Sequence, residues 1–413
     1  MITVLAHGSR GDVQPFIALA LGLQRAGHAV RLVANADFEA LARSHGLAFR
    51  PLPFGIQSLL ETDAGQAMIH SGRLWDALLY FLRETSRYTM QIQLDSWQAC
   101  QDTDVLVYSF ISLWGYDIAE KLGAVGAPAL LIPAYPTRAF PVPQGTIPNL
   151  GGVFNRTTHW LLLALVWQML YRGALTRFRQ EVLHLAGAPG ILQRLNIPQL
   201  HAYSPLVVPR PADWPAWVHQ TGYWFLPAPD DWKPPSALSA FLEAGDPPVY
   251  IGFGSMANRS AAEMTRLVLE ALRQTGQRAV LARGWGGLAG EQLPKTVFLL
   301  DSAPHAWLFE YMAAVVHHGG AGSTAAGLRA GKPSILIPHM QDQFFWGRQV
   351  AALGVGPRPI PRSVLTAERL AQAVQDARQP SMRQRADRLG QQLRAEDGLA
   401  CARDVLQRLN HSI

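Results

Sequence analysis

A repeated unit at the start of this chain limits the folds open to it: an apolar run, a glycine-bearing turn, then a helical pattern. Ile2 to Ala6 is the run, His7-Gly8-Ser9-Arg10-Gly11-Asp12 is the turn, and Val13 to Arg25 carries Phe16, Leu19, Ala20 and Leu23 at helical spacing. Gly27 stops the helix and His28 to Ala34 reads as the next strand. A helix over Asp37 to Ser44 and a strand at Phe49 to Leu52 repeat the unit. Strands joined through helices by short turns pair in parallel and are covered on both faces. The predicted class is α/β, a doubly wound parallel sheet.

The chain has 413 residues, more than one domain usually holds. Leu74 to Cys100 reads as helical, followed by strands at Val105 to Tyr108 and Ala129 to Ile132 and a helix around Tyr116 to Leu122. Proline is frequent from Pro133 to Pro148, which reads as loop, and Asn155 to Leu185 is a long helical segment. Val207 to Val208 reads as a last strand. Pro209 to Pro235 follows, with Trp214, Trp217, Trp224 and Trp232 set among prolines, and is expected to be a linker without regular structure. Alternation then resumes. Strands are predicted at Val249 to Phe253, Ala279 to Leu281, Val297 to Leu300, Ala314 to Val316 and Ile335 to Ile337. Helices are predicted at Ala261 to Gln274, Phe344 to Leu353, Ala367 to Ala377, Met382 to Ala395 and Leu399 to Leu409. The expected division is 1–208, a linker at 209–235, a second domain at 236–395 and a terminal helix at 396–413.

Composition narrows the partners. Lys and Arg number 36 against 30 Asp and Glu, a net charge of +6 that suits an anionic partner. The charge is scattered arginine with no Lys/Arg block, so nucleic acid is not expected. Cys100 and Cys401 make no disulfide framework and no Cys/His metal spacing exists. The apolar run Trp160 to Leu170 is far short of the roughly 20 residues that span a bilayer. A cytoplasmic protein, soluble or peripheral at the inner membrane surface, is the expectation.

Chemistry concentrates in the turns after strands. Val316-His317-His318-Gly319-Gly320-Ala321-Gly322-Ser323-Thr324 joins a strand to a helix. The first N–H groups of a helix lack intrahelical partners and its dipole adds positive potential, so this is an anion site. His318 can donate an N–H there, Ser323 and Thr324 can donate hydroxyls, and Gly320 and Gly322 allow close approach. The turn at residues 7 to 12 instead puts Asp12 at a helix start, where a carboxylate competes with phosphate for the same donors. Asp12 reads as a general base toward a hydroxyl or as an N-cap, and the two are compatible. Ser9 and Arg10 are its candidate orienting partners, and His7 is a lesser candidate for the same proton. Gly252-Phe253-Gly254-Ser255-Met256 lacks the third glycine of a dinucleotide site, but Ser255 can supply a phosphate hydrogen bond. Asp342 and Gln343 begin a helix, either as sugar-hydroxyl contacts or as an N-cap and a surface residue. The Asn155 to Leu185 segment sets Trp160, Trp167, Met169, Tyr171 and Phe178 beside Arg156, Arg172, Arg177 and Arg179. It is a core-facing helix with a basic outer face, an acceptor-pocket wall or a membrane-surface contact.

The motifs together resemble the inverting family 1 glycosyltransferases of GT-B fold, and most closely the sterol and antibiotic glucosyltransferase branch. The resemblance rests on Gly8-Ser9-Arg10-Gly11-Asp12-Val13-Gln14-Pro15, Gly252-Phe253-Gly254-Ser255-Met256, Arg283-Gly284-Trp285, Ala303-Pro304-His305-Ala306-Trp307-Leu308-Phe309, the His318 turn and Asp342-Gln343-Phe344-Phe345-Trp346-Gly347. It implies two Rossmann-like domains facing across a cleft, with the terminal helix returning to the first. It further implies a UDP-sugar donor on the second domain. His318, Gly320, Gly322, Ser323 and Ser255 match diphosphate contacts, and the segment Ser302, Ala303 to His305 matches the loop that receives the base. Asp342 and Gln343 match the sugar contacts, and Asp12 matches the base. Gln341 departs from the glycine usual in sterol enzymes. No carboxylate cluster for Mg²⁺ occurs in the turn, so metal-free catalysis is expected. The implied acceptor is lipophilic and hydroxylated, a sterol-like lipid or a polyketide. Trp75, Tyr80, Phe81, Tyr88, Trp97, Phe110, Trp114, Tyr135 and Phe140 suit such an acceptor, or a core. The rivals are a dTDP-sugar donor, an epimerase or phosphorylase in the same cleft, and a non-catalytic nucleotide-sugar or lipid-binding protein.

Overall fold

The computed structural model describes residues 1–53, 89–187, 189–229, 232–253, 261–283 and 293–410. Seven strands form the first sheet: β1 (Ile2–Ala6), β2 (Val30–Asn35), β3 (Ala48–Leu52), β4 (Val105–Ser109), β5 (Val125–Leu130), β6 (Gln199–His201) and β7 (Val218–Gln220). Their order is β3-β2-β1-β4-β5-β6-β7, and every pairing is parallel. Five strands form the second: β8 (Val249–Gly252), β9 (Ala279–Ala282), β10 (Val297–Leu300), β11 (Ala314–His317) and β12 (Ser334–Leu336), in the order β10-β9-β8-β11-β12, again parallel.

Each sheet reverses direction once. The reversal lies between β1 and β4 in the first and between β8 and β11 in the second. Crevices at the carboxyl ends of strands open at such switch points, and ligands bind there. The turns beginning at His7 and at His318 follow β1 and β11, so each lies at the switch point of its sheet.

Burial explains the layering. Alternate residues of β1 face opposite ways: Val4 and Ala6 join the core beneath helix Arg10–Arg25, while Leu5 packs with Tyr108, Trp114 and Phe178 on the other face. Val4, Leu5 and Phe178 each contribute about 1.5–3 kcal/mol when fully buried. Ala402, Val405 and Leu406 of the last helix, Gly398–Asn410, belong to the same core as Phe16 and Leu19. Leu399 rests on Gly22, so the chain's end returns to the first sheet as the resemblance implied. A third core joins the halves: Tyr203, Val207 and Trp214 pack with Leu336, Phe345 and fully buried Trp346.

Four expectations change. Val207–Val208 is not a strand, although both side chains are buried; the sheet is extended by β6 and β7. The Pro/Trp-rich stretch is not without regular structure, since β7 lies inside it and Trp214 and Trp224 are core residues. Three-residue strands rich in Gln and His carry too little periodicity to be seen, and in β6 the polar side chains bond internally: His201 bonds Tyr203 Oη at 2.5 Å and Gln199 Oε1 at 3.1 Å. Helix Ser236–Glu243 had no prediction. Arg179 leaves the expected basic outer face. It is 4% exposed and bonds Asp117 and Glu120, with Arg194 completing the buried network on Asp117. Of the long helical segment, Gly152–Val166 and Arg172–Arg177 are α-helical, separated and ended by π turns at Trp167–Tyr171 and Phe178–Val182. The predicted helix Leu74 to Cys100 lies outside the described residues as far as residue 88 and is helical from 89 to 99.

Candidate active site

The first rim is the turn after β1. Helix Arg10–Arg25 starts three residues earlier than predicted, with Ser9 as N-cap and Asp12 in its first turn. Asp12 folds back so that Oδ2 accepts from Ser9 N–H at 2.8 Å and Ser9 Oγ at 2.7 Å. Among the described residues no donor reaches Oδ1. Gly8 has φ +142°, and a Cβ there would lie 2.6 Å from Asp12 Oδ2, so only glycine admits the folded-back carboxylate. Burial raises the Asp12 pKa, and the two Ser9 bonds pull it partly back. Reciprocal capping therefore uses one oxygen of the side chain and leaves the other without a donor.

Two neighbours take different parts from those expected. Arg10 does not orient Asp12: its Nε bonds Gln14 Oε1 at 3.2 Å, and its charge acts on His305 of the opposite domain. His7 is a weak base, because burial lowers its pKa to about 4. Asn35 Oδ1 accepts from Gly8 N–H at 3.0 Å, so its amide nitrogen donates to His7 Nδ1 at 3.0 Å and the ring hydrogen belongs on Nε2. Asn35, at the end of β2, is thus the buried support of the turn. A fully buried Asn at a strand's end is the signal that sequence reasoning passed over.

The second rim is the turn after β11. Gly320 caps helix Ala321–Arg329, whose first intrahelical bond is Thr324 N–H to Gly320 C=O at 3.0 Å. The N–H groups of Ala321, Gly322 and Ser323 precede it and have no intrahelical acceptor. His318 lies over this turn: a Cβ on Gly320 would meet its Nε2 at 2.6 Å. Its Nδ1 is buried with no partner among the described residues, and burial lowers its pKa. A neutral imidazole above open N–H groups forms a cradle for an anion. His317 Nδ1 accepts from Gly319 N–H at 3.0 Å, which holds the turn. Thr324 does not face the cradle; its hydroxyl is spent on Gly320 C=O at 2.9 Å and the residue is fully buried. Ser323 is half-buried beside it.

The flanking pieces complete the rim. Ser302 and Ala303 lie between β10 and the short helix His305–Leu308. The His305 ring stacks on Phe309 at 4.4 Å, lies 3.4 Å from Tyr250 Oη and has its pKa lowered to about 4, first by burial. Asp342 precedes helix Gln343–Ala352, and its Oδ2 accepts from Trp346 Nε1 at 2.8 Å. Trp346 is a supporting residue that the sequence reading missed, although its i, i+4 spacing from Asp342 is a signal for this bond. Gln343 is not a surface residue: it is 8% exposed, and its Oε1 accepts from the N–H groups of His339 at 2.7 Å and Met340 at 3.1 Å, leaving Nε2 as donor. Gln341 adopts φ +52°, the left-handed region that favours glycine. Its carbonyl accepts from Gly145 N–H at 2.9 Å, a link from the first domain. Ser255, Gly254 and Met256 lie outside the described residues, as do Gly284 and Trp285. Trp75, Tyr80, Phe81 and Tyr88 do too, while Trp97, Phe110 and Trp114 pack in the core and Tyr135 and Phe140 pack at the junction of the halves.

The rims face each other. Burial raises the Asp342 pKa to about 6, and the negative charge of Asp12 across the cleft adds to the rise. A carboxylate with one oxygen lacking a donor thus lies on one rim, and Asp342, close enough to feel its charge, lies on the other with the His318 turn. Among the described residues no group of three or more His, Cys, Asp or Glu is placed to hold a metal ion.

Residues 2–141 match the glycosyltransferase family 28 N-terminal domain, and residues 279–410 match the erythromycin biosynthesis protein CIII-like C-terminal domain. The chain is 35% identical to a sterol 3-beta-glucosyltransferase of Arabidopsis thaliana over 98% of its own length and 68% of that protein. The chain belongs to the sterol 3-beta-glucosyltransferase family. It is also 37% identical over 98% of its length to a sterol 3-beta-glucosyltransferase of Emericella nidulans, of which it spans 30%. The glycosyltransferase of kitacinnamycin superposes with a TM-score of 0.73, 21% identity and coverage of 99% of this chain and 98% of that one, which places this family member in the GT-B fold. Two independent domain matches and one continuous fold agree with the two-rimmed cleft.

Proposed function

We propose that the chain is an inverting glycosyltransferase that moves a hexose, glucose first among candidates, from a UDP-sugar to a hydroxyl of a sterol or sterol-like lipid. One observation carries the reading: Asp12 keeps one carboxylate oxygen without a donor at the helix start after β1, while the helix start after β11 is left open beneath His318. In the proposed reaction the diphosphate lies on the N–H groups of Ala321, Gly322 and Ser323 under His318. Asp342 and the Gln343 amide hold sugar hydroxyls. Asp12 Oδ1 takes the acceptor proton as the acceptor oxygen attacks the anomeric carbon from the side opposite the diphosphate, which inverts the centre. His318 and the helix N-terminus stabilise the charge on the departing diphosphate, the kind of preorganised electrostatic contribution that often dominates rate enhancement. The cradle offers imidazole and backbone N–H rather than carboxylates, so the reading needs no metal and no other cofactor. A lipid acceptor comes from a bilayer, and a peripheral position at a cytoplasmic membrane surface suits it.

The supporting similarity is to proteins named for sterol glucosylation. The test is diphosphate release with UDP-glucose and dTDP-glucose against sterol, triterpenoid and polyketide acceptors, followed by analysis of the product's anomeric configuration. Release that depends on a sterol and gives the inverted glucoside supports the proposal. Donor binding without transfer to any acceptor would sink it in favour of a binding protein.

A further inference from the structure

Helix Gly152–Val166 has two unlike faces. Its inner face is sewn to the loop that borders the cleft. Asn155 Nδ2 donates to Arg138 C=O at 3.0 Å, Thr158 Oγ1 accepts from Val142 N–H at 2.9 Å, and buried His159 lies 3.1 Å from Phe140 C=O. The outer face exposes large apolar side chains at Val153 (79%), Phe154 (36%), Leu161 (66%) and Leu165 (44%), and Leu150 (67%) is exposed just before the helix. At 3.6 residues per turn the four helical positions fall within an arc of about 120°, one apolar face with exposed Thr157 inside it. Among the described residues nothing covers it. An apolar surface of this extent on a soluble chain marks an interaction site.

Charge selects the occupant. Arg156 lies on one flank of the stripe, and Arg172 and Arg177 lie beyond its C-terminal end, all three exposed. Glu181 is the single acidic residue between Leu150 and Val182, and it sits 3.9 Å from Arg177. An apolar stripe edged by arginines is the surface that lies in a lipid interface, with side chains among acyl chains and guanidinium groups at anionic headgroups. We infer that the outer face of helix Gly152–Val166 docks on an anionic lipid bilayer. The inference rests on the lipid acceptor proposed above for its purpose. Docking brings the loop bonded at Gly145 to Gln341, and with it the cleft margin, toward the membrane from which such an acceptor would come.

Flotation of the full chain with extruded phosphatidylcholine vesicles, with and without about a third phosphatidylserine, tests it. The chain is expected to float with the anionic vesicles and to be released by high salt. Leu161→Glu with Leu165→Glu lowers the bound fraction about tenfold or more, and Arg156→Glu with Arg172→Glu abolishes the preference for phosphatidylserine. Leu150→Ser with Val153→Ser is the milder second variant. All these residues are exposed, so thermal unfolding stays as in the parent, and glucose transfer to a water-soluble hydroxylated acceptor continues without vesicles. Undiminished flotation of the Leu161/Leu165 variant overturns the inference, as does a parent chain that ignores anionic vesicles. A parent dimer that this variant renders monomeric overturns it in favour of a second copy on the stripe. Vesicle binding with no transfer to any acceptor leaves docking standing and fails the function proposed above; transfer without flotation does the reverse.

Discussion

The turns after β1 and β11 are the same piece of fold used in opposite senses. Each follows a buried parallel strand at the switch point of its sheet, and each uses a glycine where a Cβ has no room. After β1 the helix start is occupied by its own carboxylate, which accepts from the cap and keeps anions away. After β11 the helix start is left open, with a neutral imidazole over it and no carboxylate in the turn. In the proposed reaction, one acidic side chain at a helix start therefore separates a site for a proton from a site for a diphosphate. A parallel α/β scaffold supplies a positive helix end at every such turn, and the sequence decides whether it is filled from within or from outside.

The largest test of this contrast is Asp12→Asn. Turnover should fall by about 10³-fold, within the range for loss of a general base, while UDP affinity measured by calorimetry stays within about twofold. Unchanged turnover would end the assignment. His318→Ala should act on both quantities, reducing turnover by about 10²-fold and UDP affinity by about tenfold, because the imidazole serves the bound diphosphate and the leaving one. A third variant sharpens the first rim. Ser9→Ala removes one bond that lowers the Asp12 pKa, so the pKa rises further. Activity needs the ionised carboxylate, so the acid limb of the kcat profile should move to higher pH, with the plateau reduced only about twofold to fivefold. A limb that stays put would mean that another group titrates there. The smallest expected effect is Thr324→Val. The hydroxyl is spent on Gly320 C=O inside the helix, so UDP affinity should change by less than about twofold and stability by about 1 kcal/mol.

Much of this was open to reading along the chain. Ile2–Ala6 and Ala367–Ala377 carry the predicted bounds, since a clean apolar run and a clean amphipathic pattern are local signals. Asp12, His318 and Asp342 stood out because each sits where a strand or turn hands over to a helix, and helix ends have known electrostatic needs. Other features have no local signature. Gln343 reads as a surface amide at a helix start, yet tertiary packing buries it and spends its carbonyl on the loop before it. Arg179 reads as one more outward arginine, and only Asp117 and Glu120, some sixty residues away, make its inward position tolerable. Trp214 and Trp224 lie in a stretch that proline seemed to exclude from any core, although proline forbids only donation from its own nitrogen and not burial of its neighbours.

Periodicity and glycine placement settled the fold class and the two-part organisation, and charge at helix starts singled out the turn proposed for an anion, because each depends on neighbours within a few residues. The pairing of the turns did not follow from the chain's order. Asp12 and Asp342 are 330 positions apart, and the effect of Asp12 on the protonation of Asp342 exists because two sheets and a shared core around Trp346 bring their rims together. The tautomer of His7, the free oxygen of Asp12 and the inward turn of Thr324 were likewise decided by three-dimensional neighbours. A hydrogen bond or a desolvated charge depends on distance in space, and that distance is set only when the chain has folded.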